Sequence, residues 1–462
     1  MRYQSTRGGV SGLSFKDAVM MGLADDGGLL VPESIPRLGE GDLAALAKLA
    51  YPELAFQIIS RFATDIPAAD LKSLIDRSYA SFTHPEITPV VKQDDLHILE
   101  LFHGPTLAFK DVALQLLGNL FEYLLAERGE RMNIIGATSG DTGSAAIYGV
   151  RGKQNINIFI LHPHGKVSKV QELQMTTVTD ANVFNVAIEG TFDDGQRIVK
   201  EIFGDIFFKQ KHALGAVNSI NWARVLAQVV YYFYAWGRVL LETGAGQVNF
   251  SVPTGNFGDI FAGYIAQQMG LPIGKLILAT NRNNILTRFV NDNDYSIGEV
   301  HPTLSPSMDI QIASNFERYL FYLLGQDSVA LKKTMDEFAA SGTISVSDAQ
   351  FAQVRTDFAS ASIDNPQTLE TIRDFFQQTG YTLDPHTATG VRAAQQLGDG
   401  KTPAICLATA HPAKFGDAVR EATGQGPEVP DSLQGIEGRE RRCEKLAAET
   451  SVIKDYLEKH SL

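Results

Sequence analysis

His103-Gly104-Pro105-Thr106-Leu107-Ala108-Phe109-Lys110 stands between two apolar stretches of different period. Upstream, Leu96-His97-Ile98-Leu99-Glu100-Leu101-Phe102 predicts a short buried strand. Gly104-Pro105 ends it, because Gly admits unusual φ and Pro cannot donate to a ladder. Downstream, Val112, Ala113, Leu116, Leu117, Leu120, Phe121, Leu124 and Leu125 recur at helical spacing. Lys110 therefore closes a strand–turn–helix junction, with Phe109 and small or apolar neighbours around it. Desolvation in such a place lowers a lysine from its ordinary pKa near ~10.4 and frees an amine able to form a Schiff base. The plain alternative is a helix-start lysine reaching into solvent.

Working outward, short apolar runs alternate with helical ones. Strands are expected at 132–137, 156–161, 183–188, 214–217, 248–252, 276–279 and 404–408, and helices at 221–241 and 258–269, among others. That alternation predicts an α/β protein with a mostly parallel sheet covered on both faces. Residues 286–380 break the rhythm with helical stretches at 310–324, 327–338 and 366–378, and read as an insertion. Residues 1–95 are mostly helical in pattern, with helices near 43–62 and 68–81 and a capping box at Ser14-Phe15-Lys16-Asp17. Residues 437–462 read as a charged helical tail. The expected organisation is an N-terminal segment (1–95), a smaller α/β lobe with Lys110 (96–212), a larger lobe (213–285 and 381–436), the insertion and the tail.

The chain has 462 residues, enough for two or three domains, and a formal net charge of −13. That charge argues against a nucleic-acid or acidic-membrane partner. Two cysteines, Cys406 and Cys443, lie in unlike surroundings, which suits a reducing cytoplasm. The N-terminal stretch lacks the apolar core of a secretory signal, and no run nears the ~20 apolar residues of a membrane helix.

Four further stretches carry chemistry. Gly136-Ala137-Thr138-Ser139-Gly140-Asp141-Thr142-Gly143-Ser144 follows a strand and opens a helix of small residues. Helix-start N–H groups and hydroxyls there suit an anion, and the missing Gly-Lys-Ser/Thr ending argues against a nucleoside triphosphate. A simple capping loop is the alternative. Pro253-Thr254-Gly255-Asn256-Phe257-Gly258 is a second strand-to-helix turn, whose N–H groups can converge on one phosphate or merely turn the chain. Leu407-Ala408-Thr409-Ala410-His411-Pro412 places the hydroxyl of Thr409 at a strand end. In Asn218-Ser219-Ile220-Asn221-Trp222-Ala223-Arg224, Ser219 or Asn221 can cap a helix, and Arg224 is either bidentate to a phosphate or a surface arginine. His162-Pro163-His164 has no Cys or Glu cluster beside it, so no metal is expected.

In order, these motifs resemble the fold type II pyridoxal-phosphate enzymes, and among them the threonine synthase family in its longer bacterial and fungal branch. The resemblance extends to Tyr3-Gln4-Ser5-Thr6-Arg7-Gly8, Asp26-Gly27-Gly28-Leu29 and Gln171-Glu172-Leu173-Gln174-Met175-Thr176-Thr177. It implies two open, mostly parallel sheets with flanking helices, an N-terminal helical segment and a helical insertion. It also implies pyridoxal 5'-phosphate, held through a Schiff base on Lys110, by the phosphate cup Gly255, Asn256, Phe257 and Gly258, and by Thr409 at the pyridine nitrogen. Ser139, Gly140, Asp141 and Thr142 would bind substrate around its carboxylate, with Thr138 and Ser139 reaching toward the phosphate. Asn218, Ser219 and Arg224 would meet its phosphate. One departure is Asp141, where many members of the fold type carry Asn. The implied reaction is a carbon–oxygen lyase reaction on a phosphate ester: O-phospho-L-homoserine and water give L-threonine and phosphate by γ-elimination and β-addition, the last step of threonine biosynthesis. Rival outcomes are a phospho-lyase yielding 2-oxobutanoate, a threonine dehydratase, and a non-catalytic binding relative. The partner is a small molecule, and the chain is expected to be a cytoplasmic monomer or homodimer.

Overall fold

The computed structural model describes residues 1–138 and 140–462. They form two compact units. The first comprises Met1–Asp76, Phe82–His103 and Ser219–Glu428, and the second comprises Arg77–Ser81, Gly104–Asn218 and Val429–Leu462.

The first unit holds a six-stranded sheet in the order Phe358–Ser362, Ile273–Thr280, Val248–Pro253, Ala404–Ala408, Leu96–Glu100, Val90–Gln93. Every pairing is parallel except the last. The two final strands form a hairpin that turns through Asp94 at φ 55°, a conformation Asp tolerates better than most residues. The central strands are buried along their whole length, as a sheet covered on both faces requires. Helix Trp222–Thr243 is buried over most of its circumference, which marks a core helix rather than an amphipathic surface one.

The second unit holds five parallel strands in the order Glu444–Ala447, Val183–Glu189, Ile156–Pro163, Met132–Ala137, Leu214–Gly215. Helix Lys110–Arg128 lies against helix Asp141–Val150 at a glycine-to-glycine crossing. A Cβ on Gly118 would sit 1.9 Å from the Gly149 carbonyl oxygen, so hydrogen is the largest substituent that fits. This close approach sets the Lys110 helix against the helix that carries Asp141.

Several expectations change. The strand at the head of the octapeptide, Leu96–Glu100, belongs to the larger sheet rather than to the smaller lobe, since Ile98 and Leu99 are fully buried there and pair on both sides. The insertion is not all helix: Phe358–Ser362 is an edge strand of the larger sheet. The tail likewise contributes strand Glu444–Ala447 before helix Thr450–His460. Residues 43–62 form two helices, Glu40–Leu46 and Tyr51–Ile59, because Pro52 is accommodated only in a first turn. No helix among the described residues is long and apolar enough to cross a membrane.

Candidate active site

In the second unit the octapeptide turn is pinned by Asp111. Its carboxylate accepts from the Thr106 N–H at 2.8 Å and from the Thr106 hydroxyl at 2.7 Å. Gln174 adds a hydrogen bond from Nε2 to the Thr106 carbonyl at 3.0 Å. Lys110 is thereby presented at the first position of its helix. Its Nζ lies 3.9 Å from Asp141 Oδ2, and both side chains are largely buried. The surroundings are thus not only apolar, as the sequence suggests; a carboxylate faces the amine. Gln171 Nε2 donates to Asp141 Oδ1 at 2.7 Å, and the Gln171 carbonyl accepts from the Ser168 hydroxyl at 2.9 Å. That pairing fixes the amide so that Asp141 serves as an acceptor. Thr138 turns its hydroxyl inward, accepting from the N–H groups of Gly140 at 3.1 Å and Gly143 at 3.0 Å. Thr142 opens the helix with Asp141. Ser139 lies outside the described residues.

In the first unit, register pairs Ser251 with Cys406 and Cys406 with Ile98. Three loops therefore leave the same carboxyl edge of the sheet: Thr254–Gly258, Thr409–Pro412 and Leu101–His103. This edge is where open α/β sheets hold ligands. Phe257 adopts φ 65°, with its ring packed among Phe316, Tyr319 and Phe358 at centroid distances of 5.5, 5.9 and 5.7 Å. Among the described residues, the N–H groups of Gly255 to Gly258 donate no hydrogen bond. Together with the helix that starts at Gly258, they form a concave donor set. A Cβ on Gly255 would come within 2.9 Å of the Ser307 carbonyl oxygen, so the cup wall has no room for a side chain.

Asn221, not Ser219, caps helix Trp222–Thr243, accepting from the Ala223 N–H at 3.0 Å. Ser219 instead reaches the Ser314 hydroxyl at 2.9 Å. Arg224 is buried, and its Nε and Nη1 have no hydrogen-bond partner. Burial pulls its pKa down to about 10. A guanidinium held this way is an incomplete pair, and an anion completes it. Asn218 is half-buried just beyond strand Leu214–Gly215 and belongs to the second unit.

His411 follows Thr409 and is largely buried. Burial first, and then the charge of His103, push its pKa down to about 4, against the opposing pull of Asp384 and Glu100. Its Nδ1 accepts from the Ala413 N–H at 3.1 Å, a bond the protonated ring cannot make. The unfolded imidazole titrates near 6.5, so between pH 6.5 and 4 the unfolded chain binds the extra proton. Stability contributed by neutral His411 is complete above that window and is lost as pH falls through it, by up to about 3 kcal/mol. Urea midpoints at pH 7.5 and 5 should differ less in His411→Gln than in wild type. Equal differences would assign the acid sensitivity elsewhere.

Sequence reasoning passed over Gln171 and Gln174 as working residues, although they recur three apart on one short helix. It also passed over Ser314, Asn315 and Arg318, which have no local signature.

Residues 83–332 match the pyridoxal-phosphate dependent enzyme family. Residues 2–79 match the threonine synthase N terminus and residues 387–457 its C-terminal region. A threonine synthase of Pseudomonas aeruginosa is 50% identical over 100% of this chain and 98% of its own. The chain belongs to the threonine synthase family. Threonine synthase of Schizosaccharomyces pombe is 46% identical, over 96% of this chain and 94% of its own length. The crystal structure of PLP-bound threonine synthase from Brucella melitensis superposes with a TM-score of 0.97 at 46% identity, covering 100% of this chain and 99% of that one. As in other threonine synthases, the activity is that of a pyridoxal-phosphate-dependent lyase on the fold type II scaffold. The chemistry present fits such a cofactor: in the first unit, N–H groups without a partner at a helix start suit a phosphate, and in the second, a largely buried lysine amine suits an aldehyde.

Proposed function

We propose that this threonine synthase takes O-phospho-L-homoserine and water to L-threonine and phosphate, with Lys110 as the covalent anchor of the cofactor and the base at the substrate carbons. The buried guanidinium of Arg224, whose Nε and Nη1 lack a hydrogen-bond partner, carries this reading, because it calls for an anion and a substrate phosphate supplies one. When bound, the cofactor supplies an electron sink for negative charge that develops at Cα. Gly255, Asn256, Phe257 and Gly258 hold its phosphate, and the hydroxyl of Thr409 meets its ring nitrogen without adding a charge.

Arg224, Ser219 and Asn218 orient the substrate phosphate. The Gly140–Thr142 turn and Thr138, together with Ser139, receive the carboxylate end. Asp141 is itself an anion, so its side chain serves Lys110 rather than the substrate carboxylate; the backbone and hydroxyls of the turn take the latter. Lys110 Nζ moves protons at Cα and Cβ, with Asp141 as its charge partner. The Cγ–O bond breaks and phosphate leaves with its electrons. Cγ gains a proton, a water oxygen bonds to Cβ while its proton departs, and Cα is reprotonated. Two free cysteines, one buried, fit a reducing cytoplasm.

Incubating the holoenzyme with O-phospho-L-homoserine should release threonine and inorganic phosphate in equal amounts. Accumulation of 2-oxobutanoate and ammonia instead would mean a phospho-lyase on the same scaffold. No phosphate release would indicate a binding relative.

A further inference from the structure

Three loops of the first unit meet at the start of helix Phe316–Leu323, inside the insertion. The Asn315 N–H donates to the Asn256 carbonyl at 3.0 Å. Its Nδ2 donates to that carbonyl and to the Ser219 carbonyl, each at 3.2 Å. Arg318 Nη1 donates to Asn315 Oδ1 at 2.5 Å, and Nη2 donates to the carbonyls of Ile220 at 2.5 Å and Leu30 at 2.9 Å. Arginine can only donate, so this contact assigns Oδ1 of Asn315 and leaves Nδ2 facing the two carbonyls. Ser314 adds a second bridge, its hydroxyl lying 2.9 Å from Ser219 Oγ and 3.3 Å from Asn256 Oδ1.

Arg318 is 0% exposed. The neighbouring carboxylate, Glu317, faces elsewhere and binds Thr6 and Arg7 at 2.7 to 3.0 Å. The cation is therefore satisfied by neutral acceptors, and burial pulls its pKa down to about 9. Burying such a charge costs desolvation free energy that its hydrogen bonds must offset. Here it holds the Ile220 carbonyl directly and orients Asn315, whose Nδ2 holds the carbonyls of Asn256 and Ser219.

We propose that Asn315 and Arg318 are positioning residues that clamp the cofactor cup and the Ser219–Ile220 loop into one geometry, so that a single part of the insertion sets the affinity for both phosphates. The proposal rests on the reading of Gly255–Gly258 as the cofactor cup and of Ser219 with Arg224 as the substrate-phosphate site. It also gives the insertion a role in the site.

Asn315→Asp tests it. The variant keeps the oxygen that meets Arg318 but turns lone pairs toward both carbonyls. The dissociation constant of pyridoxal phosphate from the apoenzyme should rise about tenfold, and the inhibition constant of inorganic phosphate against the holoenzyme should rise about tenfold as well. kcat at saturation should change less than about threefold. Loss of one affinity alone, or of neither, overturns the clamp. Should the variant not fold, Ser314→Ala decides, with both constants expected to rise about threefold and unchanged constants overturning the proposal. Gly255→Ala separates the proposal from its premise. If that variant binds pyridoxal phosphate normally, the cup itself is misread and the clamp falls with it; if it binds weakly while Asn315→Asp does not, only the clamp falls.

Discussion

Lys110→Ala should lose the visible absorption of a lysine–aldehyde linkage and reduce kcat by about 10³-fold or more. Two functions disappear together: the covalent hold on the cofactor and the amine that moves protons. The fold should survive, because Asp111, not Lys110, fixes the octapeptide turn through Thr106. Near-ultraviolet dichroism and urea unfolding of the apoprotein check that point. Exogenous primary amines should restore part of the activity if proton transfer is the limiting loss. A Lys110→Ala protein with the absorption band intact would place the linkage on another lysine.

Arg224→Met should show two effects of opposite sign. Removing a buried, unpaired guanidinium relieves the apoprotein of an uncompensated charge, so urea stability should be unchanged or higher by about 1–2 kcal/mol. Affinity for the phosphorylated substrate should fall on the order of 100-fold, about 3 kcal/mol, because the ligand's phosphate loses its charged partner. Pyridoxal phosphate binding should change little by comparison. Destabilised apoprotein with unaltered KM would make Arg224 a structural residue.

Much of the architecture is legible in the sequence where one residue pattern admits one outcome. Strands Met132–Ala137 and Ala404–Ala408 occur where their apolar runs predict them, because fully buried parallel strands cannot hide their composition. Edge strands can. Phe358–Ser362 alternates Ala and Ser after its Phe, and Glu444–Ala447 begins with two charges; each acquires strand structure only from the neighbour it pairs with. Helix Phe316–Leu323 begins later than its periodicity suggests. The preceding segment is held as a loop by Asp309, whose carboxylate accepts from Asn281, Asn283 and Thr303 at 2.7 to 2.9 Å.

The candidate site divides in the same way. Gly255–Gly258 and Thr409 directly follow strand ends, and Lys110 opens a helix after a Gly-Pro turn, so sequence order already indicates exposure to a ligand. Asn315 and Arg318 act through carbonyls of residues about 60 to 290 positions away, and no local pattern encodes such partners. Asp141 was legible as a site residue, but its pairing with Lys110 depends on the glycine crossing at 118 and 149.

We propose that one amine, Lys110, carries the aldehyde. Borohydride reduction of the holoenzyme followed by peptide mapping tests it directly. A single pyridoxyl group on the peptide containing Lys110 is the expected result; a pyridoxyl group on any other lysine, or none on a cofactor-saturated enzyme, would contradict it.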